Sequence, residues 1–347
     1  MTGAHGSQDV GPVLAADVGR TTCRVARFDD GHRTRSLAEA GGWSLADPAG
    51  VDGVSEVLLR ATAGLLEEHE TPAAIGVGTT GAAQDAAAGR ALAERLQRRM
   101  PTTDVVIASD VVTAHVGGLA GAPGVLTIAG TGAVALAVTP AGTSHVVDGA
   151  GWLLGDAGAG SSIGRAGLAA AMRWLDGRLG GSEALAEAAR SRFGPLARLP
   201  STMHAEPRPA RTLASFAPEV ATAARAGDVV AAGIFADAVR ELLETTRAAA
   251  AVMGDVEPLL VTFAGGLFDL DDLVAEPLAA AVTRELPRAM LHEPVGDAID
   301  GAHRLVVDGP GLHDRLVHRS PATGRGTRPI TDRSGVTAPG APEPEES

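Results

Sequence analysis

The chain has 347 residues, of which 45% are hydrophobic and 20% charged. That is enough to bury a sizeable core and to divide into two domains. A formal net charge of -13 argues against nucleic acid or an anionic membrane as partner. The one cysteine, Cys23, excludes an internal disulfide and a Cys-rich metal site.

No apolar run is long enough to span a bilayer or to form a signal-peptide core, so a cytoplasmic protein is expected. The sequence contains no Lys and no Asn. A Walker A loop, a protein-kinase strand Lys and Schiff-base chemistry are therefore all excluded.

Residues 1–12 are polar and read as disordered. Val13 to Asp17 then reads as a strand, Val18 to Thr22 as a tight turn, and Cys23 to Asp29 as the second strand of a hairpin. Two readings fit. One is a phosphate loop, in which Gly19, Arg20, Thr21 and Thr22 hold phosphate and Asp17 faces a magnesium ion through water. The other is an ordinary hairpin with an Asp at its turn. Gly41 to Leu45 is a loop, and apolar spacing predicts a helix from about Val54 to His69.

Ala73 to Gly78 reads as a buried strand running into Thr79-Thr80-Gly81, followed by a helix over Ala86 to Met100. Val105 to Ala108 is a further strand, ending on Asp110. A short apolar run that stops at a carboxylate presents that group to a crevice. A helix through Ala114 to Leu119 leads into a second half.

There Gly124 to Ala129, Ala133 to Thr139 and Thr143 to Val147 are strands, with Gly130-Thr131-Gly132 as a second glycine turn. Each half opens with a Gly/Thr turn, which suggests duplicated domains facing a cleft. Ser161 to Leu179, Glu183 to Phe193 and Asp228 to Met253 read as helices, and Pro195 to Pro218 as a long surface loop. Leu259 to Ala264 is a late strand entering Gly265-Gly266, Asp271 to Glu285 and Ile299 to Val307 are helical, and residues 319–347 form a disordered tail.

Asp17-Val-Gly-Arg-Thr-Thr, Asp110, Ala129-Gly-Thr-Gly, Gly151-Trp-Leu-Leu-Gly-Asp156-Ala-Gly and Ala264-Gly-Gly occur in an order that resembles the sugar kinase/Hsp70/actin superfamily. More narrowly the chain resembles the BadF/BadG/BcrA/BcrD ATPase family, and within it the N-acetylglucosamine kinases. The likeness covers roughly Val13 to Leu312.

It implies an α/β fold of two actin-like (ribonuclease H-like) domains, with mixed sheets flanked by helices and the active site in the cleft between them. The expected division is 13–112, completed by a last helix at about 299–316, and 113–298. ATP and Mg2+ are the implied cofactors, and a small-molecule sugar the substrate. In matching positions, Gly19 to Thr22 form the first phosphate loop, Gly130 to Gly132 the second, and Gly265-Gly266 the adenosine turn. Asp110 is the implied base, Asp156 holds sugar hydroxyls, and Thr80, Gly81, Thr131 and Trp152 complete the substrate wall.

The implied reaction moves the γ-phosphate of ATP to the 6-hydroxyl of N-acetylglucosamine, by a homodimer. Glucosamine or another sugar is an alternative acceptor; an ATPase activator or a non-catalytic sugar sensor is an alternative of another class. Activators bridge an iron–sulfur cluster with paired cysteines, which one Cys cannot supply. The sequence departs from the family in two places. Arg20 stands where Gly is frequent, and either reaches a phosphate or points to solvent. The family's Gly-Gly-x-x-Asn loop reads Gly41-Gly42-Trp43-Ser44-Leu45, leaving Ser44 or Asp47 to replace the Asn.

Overall fold

The computed structural model describes residues 11–322 apart from 21 and 102. Thr21 of the first phosphate loop, residues 1–10 of the N-terminal segment and residues 323–347 of the tail lie outside the described residues.

The chain builds two mixed sheets. Val13–Val18 (β1), Thr22–Asp29 (β2) and His32–Ala40 (β3) form an antiparallel meander. Helix Gly50–Ala63 (α1), strand Ala74–Thr79 (β4), helix Ala86–Arg99 (α2) and strand Asp104–Ser109 (β5) follow. The second half repeats the plan. After helix Asp110–Gly118 (α3), strands Gly124–Ala129 (β6), Ala133–Val138 (β7) and Ser144–Asp148 (β8) form another meander.

Helices Gly160–Leu175 (α4), Glu183–Phe193 (α5), Leu199–Ala205 (α6), Pro209–Ala214 (α7), Ala217–Arg225 (α8) and Val229–Val252 (α9) intervene before strand Leu259–Ala264 (β9). Helix Glu276–Glu285 (α10), strand Ala289–Leu291 (β10), helix Ala298–Val307 (α11) and strand Val317–Ser320 (β11) complete the chain. The sheet orders are β11-β5-β4-β1-β2-β3 and β10-β9-β6-β7-β8. In each, the first strand of the meander takes a parallel neighbour on its free side, β4 beside β1 and β9 beside β6.

β1 shows why a continuous apolar run suits a strand covered on both faces. Leu14 and Ala16 point into the core under α1 and α2, with Leu58, Leu92 and Ile107. Ala15, one residue between them, points the other way and packs on Ile299 and Ala302 of α11. β4 is buried along its whole length. Its glycines have a packing reason: a Cβ on Gly76 would lie 2.1 Å from the Ala302 carbonyl oxygen, and one on Gly78 2.2 Å from the Thr113 hydroxyl. Substituting either pushes α11 or α3 off the sheet. Val106, Val111, Val112 and Val116 meet Leu136, Val138 and Leu305 in one cluster, so α3 packs against both sheets.

Three expectations are corrected. The stretch expected as a surface loop over Pro195 to Pro218 is helical, and its Leu196, Leu199, Leu213 and Phe216 are at most 7% exposed. Short helices opened by proline, with one buried residue per turn, lack the longer period that marks a helix in sequence. Residues 319 and 320, expected in the tail, belong to a strand, because Val317–Ser320 pairs antiparallel with β5. The helix expected at Val54 begins a turn earlier, at Gly50, and ends at Ala63. Among the described residues no helix is long and apolar enough to cross a membrane.

Candidate active site

The two meanders bring their turns together. At the first, the Gly19 amide donates to the Thr22 carbonyl at 2.9 Å, which closes the β1–β2 turn. At the second, the Gly130 amide donates to Gly132 O at 2.8 Å. That turn is fastened to the start of α4, where the Gly160 amide donates to Gly130 O at 2.8 Å and the Ser161 amide to Thr131 O at 3.2 Å. Gly265 follows β9 with φ +108°, and a Cβ there would lie 2.3 Å from Ala129 O. Only glycine fits.

The turns open on one cleft of about 590 Å3, lined by Asp17, Gly19, Arg20, Thr22, Arg24, Gly130, Thr131 and Gly266. Seven of the expected residues therefore share one space. Small turns with accessible amides suit phosphate oxygens.

Asp110 does not line this cleft; it is placed at the end of β5, beside the end of β4, by the parallel pairing of those two strands. The register places Thr79 beside Ser109, so the next residues of each chain, Thr80 and Asp110, also meet. The Thr80 hydroxyl donates to Asp110 Oδ2 at 2.7 Å, and the Val111 amide donates to Oδ1 at 2.9 Å. Burial raises the pKa of this carboxyl and the charge of Asp17 raises it further, while the two hydrogen bonds and the start of α3 oppose the rise. The result is a carboxylate held in one orientation, with a heightened affinity for a proton.

Asp156 sits across the second turn. Its carboxylate lies against Gly132, where an added Cβ would stand 2.9 Å from Oδ2, and Oδ1 accepts from the Ala133 amide at 3.4 Å. The backbone of Asp156 is left-handed, with φ +54°. Such a turn needs support in a residue other than glycine. Asp148 provides it: its two carboxylate oxygens accept the Asp156 and Ala157 amides, both at 2.8 Å. Burial raises the Asp156 pKa, and the neighbouring Asp148 adds to it.

A family model for the BadF/BadG/BcrA/BcrD ATPases matches residues 16–302. The chain belongs to the BadF/BadG/BcrA/BcrD ATPase family. It is similar to the N-acetylmuramic acid/N-acetylglucosamine kinase of Clostridium acetobutylicum, with 24% identity over 254 residues, 72% of this chain and 82% of that one. A solved structure of a candidate N-acetylglucosamine kinase from Chromobacterium violaceum shares the fold with TM-score 0.67 and 24% identity, over 85% of this chain and 98% of the other. A ROK-family glucokinase from Streptomyces griseus, in complex with glucose and AMPPNP, aligns with TM-score 0.57 and 19% identity, over 86% and 100% of the two chains. The fold is thus the actin-like ATPase fold.

Within this BadF/BadG/BcrA/BcrD family member, the remaining site residues take distinct places. Gly81 has φ +93° and lies under the loop before α1, where a Cβ would stand 2.5 Å from Ser44 Oγ. Ser44 is buried, and its hydroxyl donates to Thr80 O at 3.3 Å. Leu45, in the place of the family's Asn, is 2% exposed and belongs to the core. Asp47 accepts the Ser44 amide at 2.8 Å. Trp152 is partly buried against the helical cluster that includes Ile163 and Phe235.

His115, five residues after Asp110, does not contact it. Its Nε2 bonds Gly124 O at 3.1 Å and its Nδ1 bonds His313 Nε2 at 3.0 Å, both rings buried.

Two residues outside the sequence-derived set stand out. One is Asp148, whose hint in the sequence was its place eight residues before Asp156. The other is Arg24, which lines the cleft and donates to Asp17 Oδ2 at 2.5 Å. Arg24 alternates with the buried Cys23 and Val25 along β2, which turns it away from the core and beside Asp17, its partner across the β1–β2 ladder. Among the described residues no group of three or more His, Cys, Asp or Glu side chains forms a metal cage. One carboxylate, Asp17, on the wall of a cleft that suits phosphate fits Mg2+, which keeps its waters and takes further oxygens from phosphates.

Proposed function

We propose that this ATPase-family chain is an ATP-dependent sugar kinase acting on the 6-hydroxyl of N-acetylglucosamine. The observation that carries the reading is a convergence. Gly19 of one sheet and Gly130 and Thr131 of the other line a single cleft with Asp17, and a half-buried carboxylate, Asp110, is held by Thr80 at the end of β5, two strands from Asp17 in the same sheet. We take the lobes as 13–112 completed by a last helix at about 299–316, and 113–298, with β11 paired to β5 of the first.

Phosphoryl transfer asks for position and charge neutralisation more than for covalent chemistry. The amides of the two glycine turns bind phosphate oxygens, and Arg20 supplies a cation of the kind that Lys supplies elsewhere, Arg24 being paired with Asp17. Asp17 would hold Mg2+ through water, and the ion would supply charge neutralisation at the phosphates. Asp110 accepts the proton of the attacking hydroxyl, its raised pKa serving that role and Thr80 fixing its orientation. Asp156 binds neighbouring sugar hydroxyls, and Trp152 walls the ring. Closure of the lobes excludes water.

A buried Leu45 donates and accepts nothing, so the sugar hydrogen bond expected at this position is missing, which leaves the choice of sugar open. The deciding experiment is a coupled ADP-release assay with Mg-ATP across N-acetylglucosamine, glucosamine, N-acetylmannosamine, N-acetylmuramic acid and glucose. Turnover with at least one amino sugar and not with water alone is expected. No ADP release with any sugar overturns the reading.

A further inference from the structure

We propose that Arg20 is a positioning residue that couples nucleotide in the cleft to the acceptor-side loop through Asp47, a proposal that rests on the kinase reading above. Four observations lead to it. Of the residues lining the cleft, Arg20 and Arg24 are the cations, and Arg24 is already bound to Asp17 at 2.5 Å. Arg20 is held loosely: its side chain is 63% exposed and its Nη2 lies 3.7 Å from Asp47 Oδ1, an ion pair without a direct hydrogen bond. Exposed pairs of this kind add little to folding stability and exchange easily. The guanidinium is also a planar fork, able to face a phosphate with one edge and a carboxylate with another.

Asp47 is what makes the pair consequential. Its second oxygen, Oδ2, holds the Ser44 amide at 2.8 Å. The Ser44 hydroxyl and the Leu45 amide both bond Thr80 O, at 3.3 and 2.9 Å. The Thr80 hydroxyl holds Asp110 at 2.7 Å. A continuous set of polar contacts therefore runs from the first phosphate turn to the base.

Phosphate in the cleft draws the Arg20 fork inward while its other edge keeps Asp47. The segment 44–47 follows, and the acceptor wall tightens beside Asp110. Nucleotide and sugar then bind synergistically, and by linkage each raises the affinity for the other by the same factor.

The test is a calorimetric cycle with Mg-AMPPNP and N-acetylglucosamine, each titrated without and with the other. In the wild type AMPPNP is expected to tighten sugar binding about 5-fold or more, the scale of ordinary coupling between two sites. In Arg20→Gln and in Asp47→Asn the factor falls to about one, the double variant loses nothing further, and Arg20→Lys, which keeps the charge, retains part of it. A merely structural role would instead weaken both ligands and leave their ratio unchanged, which overturns the proposal. So does Asp47→Asn with wild-type coupling.

A second readout needs no sugar: AMPPNP should slow hydrogen exchange at the amides of 44–47 in the wild type and not in Arg20→Gln. Absence of that slowing in the wild type overturns the coupling even if sugars are phosphorylated. If its presence is joined to no sugar turnover, the kinase reading falls and the coupling stands.

Discussion

The hydroxyl of Thr80 and the carboxylate of Asp110 are joined at 2.7 Å because β4 and β5 run parallel with Thr79 beside Ser109. Two strand ends thus place the proposed base beside a hydroxyl that holds one of its oxygens, while the Val111 amide holds the other.

Asp110→Asn is the most direct consequence. The amide keeps the volume and accepts one hydrogen bond, but takes no proton. Sugar-dependent ADP release should fall about 100-fold or more, the scale of a lost general base. AMPPNP affinity and the melting temperature should stay close to wild type. Turnover within threefold of wild type removes Asp110 from the role of base.

Thr80→Val tests the pH dependence. The Asp110 pKa is raised by burial and the Asp17 charge, and lowered by the Thr80 hydrogen bond. A base works deprotonated, so kcat/KM falls as pH drops through its pKa. Removing the hydroxyl removes a contribution that favours the charged form, so the acid limb should move to higher pH. A limb that stays in place, or moves down, contradicts the assignment.

Asp148→Ala addresses the loop behind Asp156. The variant strips the acceptor from two backbone amides and frees a left-handed residue. Hydrogen bonds to a charged acceptor contribute about 1.5–3 kcal/mol each. The sugar KM should rise about tenfold or more, while the ATP KM changes far less. Equal effects on both substrates would mean the change acts on the fold and not on the loop.

The two glycine turns were legible in the sequence as turns because each joins two apolar runs through glycines, and the structure places Gly19, Gly130, Thr131 and Gly266 on one cleft. What escaped has physical reasons. β3 is an edge strand with mostly exposed residues, so no alternation marks it. β11 is held by backbone pairing to β5 and carries only one apolar side chain, Val317. Asp148 and Arg24 act through partners that are near in space, and a single sequence does not display those. Replacement of the missing Asn by Ser44 meets an obstacle visible only in three dimensions, since its hydroxyl is buried and engaged by Thr80 O.

Magnesium removal separates chemistry from folding. The described residues hold no three-ligand metal cage, and the two sheets close over apolar clusters. EDTA should therefore abolish ADP release while shifting the melting temperature by no more than about 2 °C, the lower end of the shift that a loss of about 1 kcal/mol brings to a domain of roughly 150–250 residues. Excess Mg2+ should restore activity fully. Asp17→Asn should raise the Mg2+ needed for half-maximal rate. A large fall in melting temperature with EDTA would place the metal in the fold instead.

The His115–His313 pair makes a stability prediction with a defined sign. His115 Nε2 faces the Gly124 carbonyl and so must carry the proton; its Nδ1 is then the acceptor, and His313 Nε2 the donor. Protonating Nδ1 would break that contact inside an apolar layer. Burial accordingly depresses the His115 pKa to about 3, and lowers that of His313 as well. In the unfolded chain both titrate near the ordinary value of 6.5.

Between these limits the unfolded state binds more protons than the native one. Stability is then greatest above pH 6.5 and falls on acidification, by up to about 1.4 kcal/mol per pH unit for each such His. The double variant His115→Gln, His313→Leu keeps a donor for Gly124 O and removes both titrations. Its stability at neutral pH should be lower, since the packed pair is lost. Its denaturant midpoint should nevertheless decline less between pH 6.5 and 4 than that of the wild type. Parallel declines for the two proteins would show that the pair takes up protons in the native state and that His115 Nδ1 is not held as an acceptor.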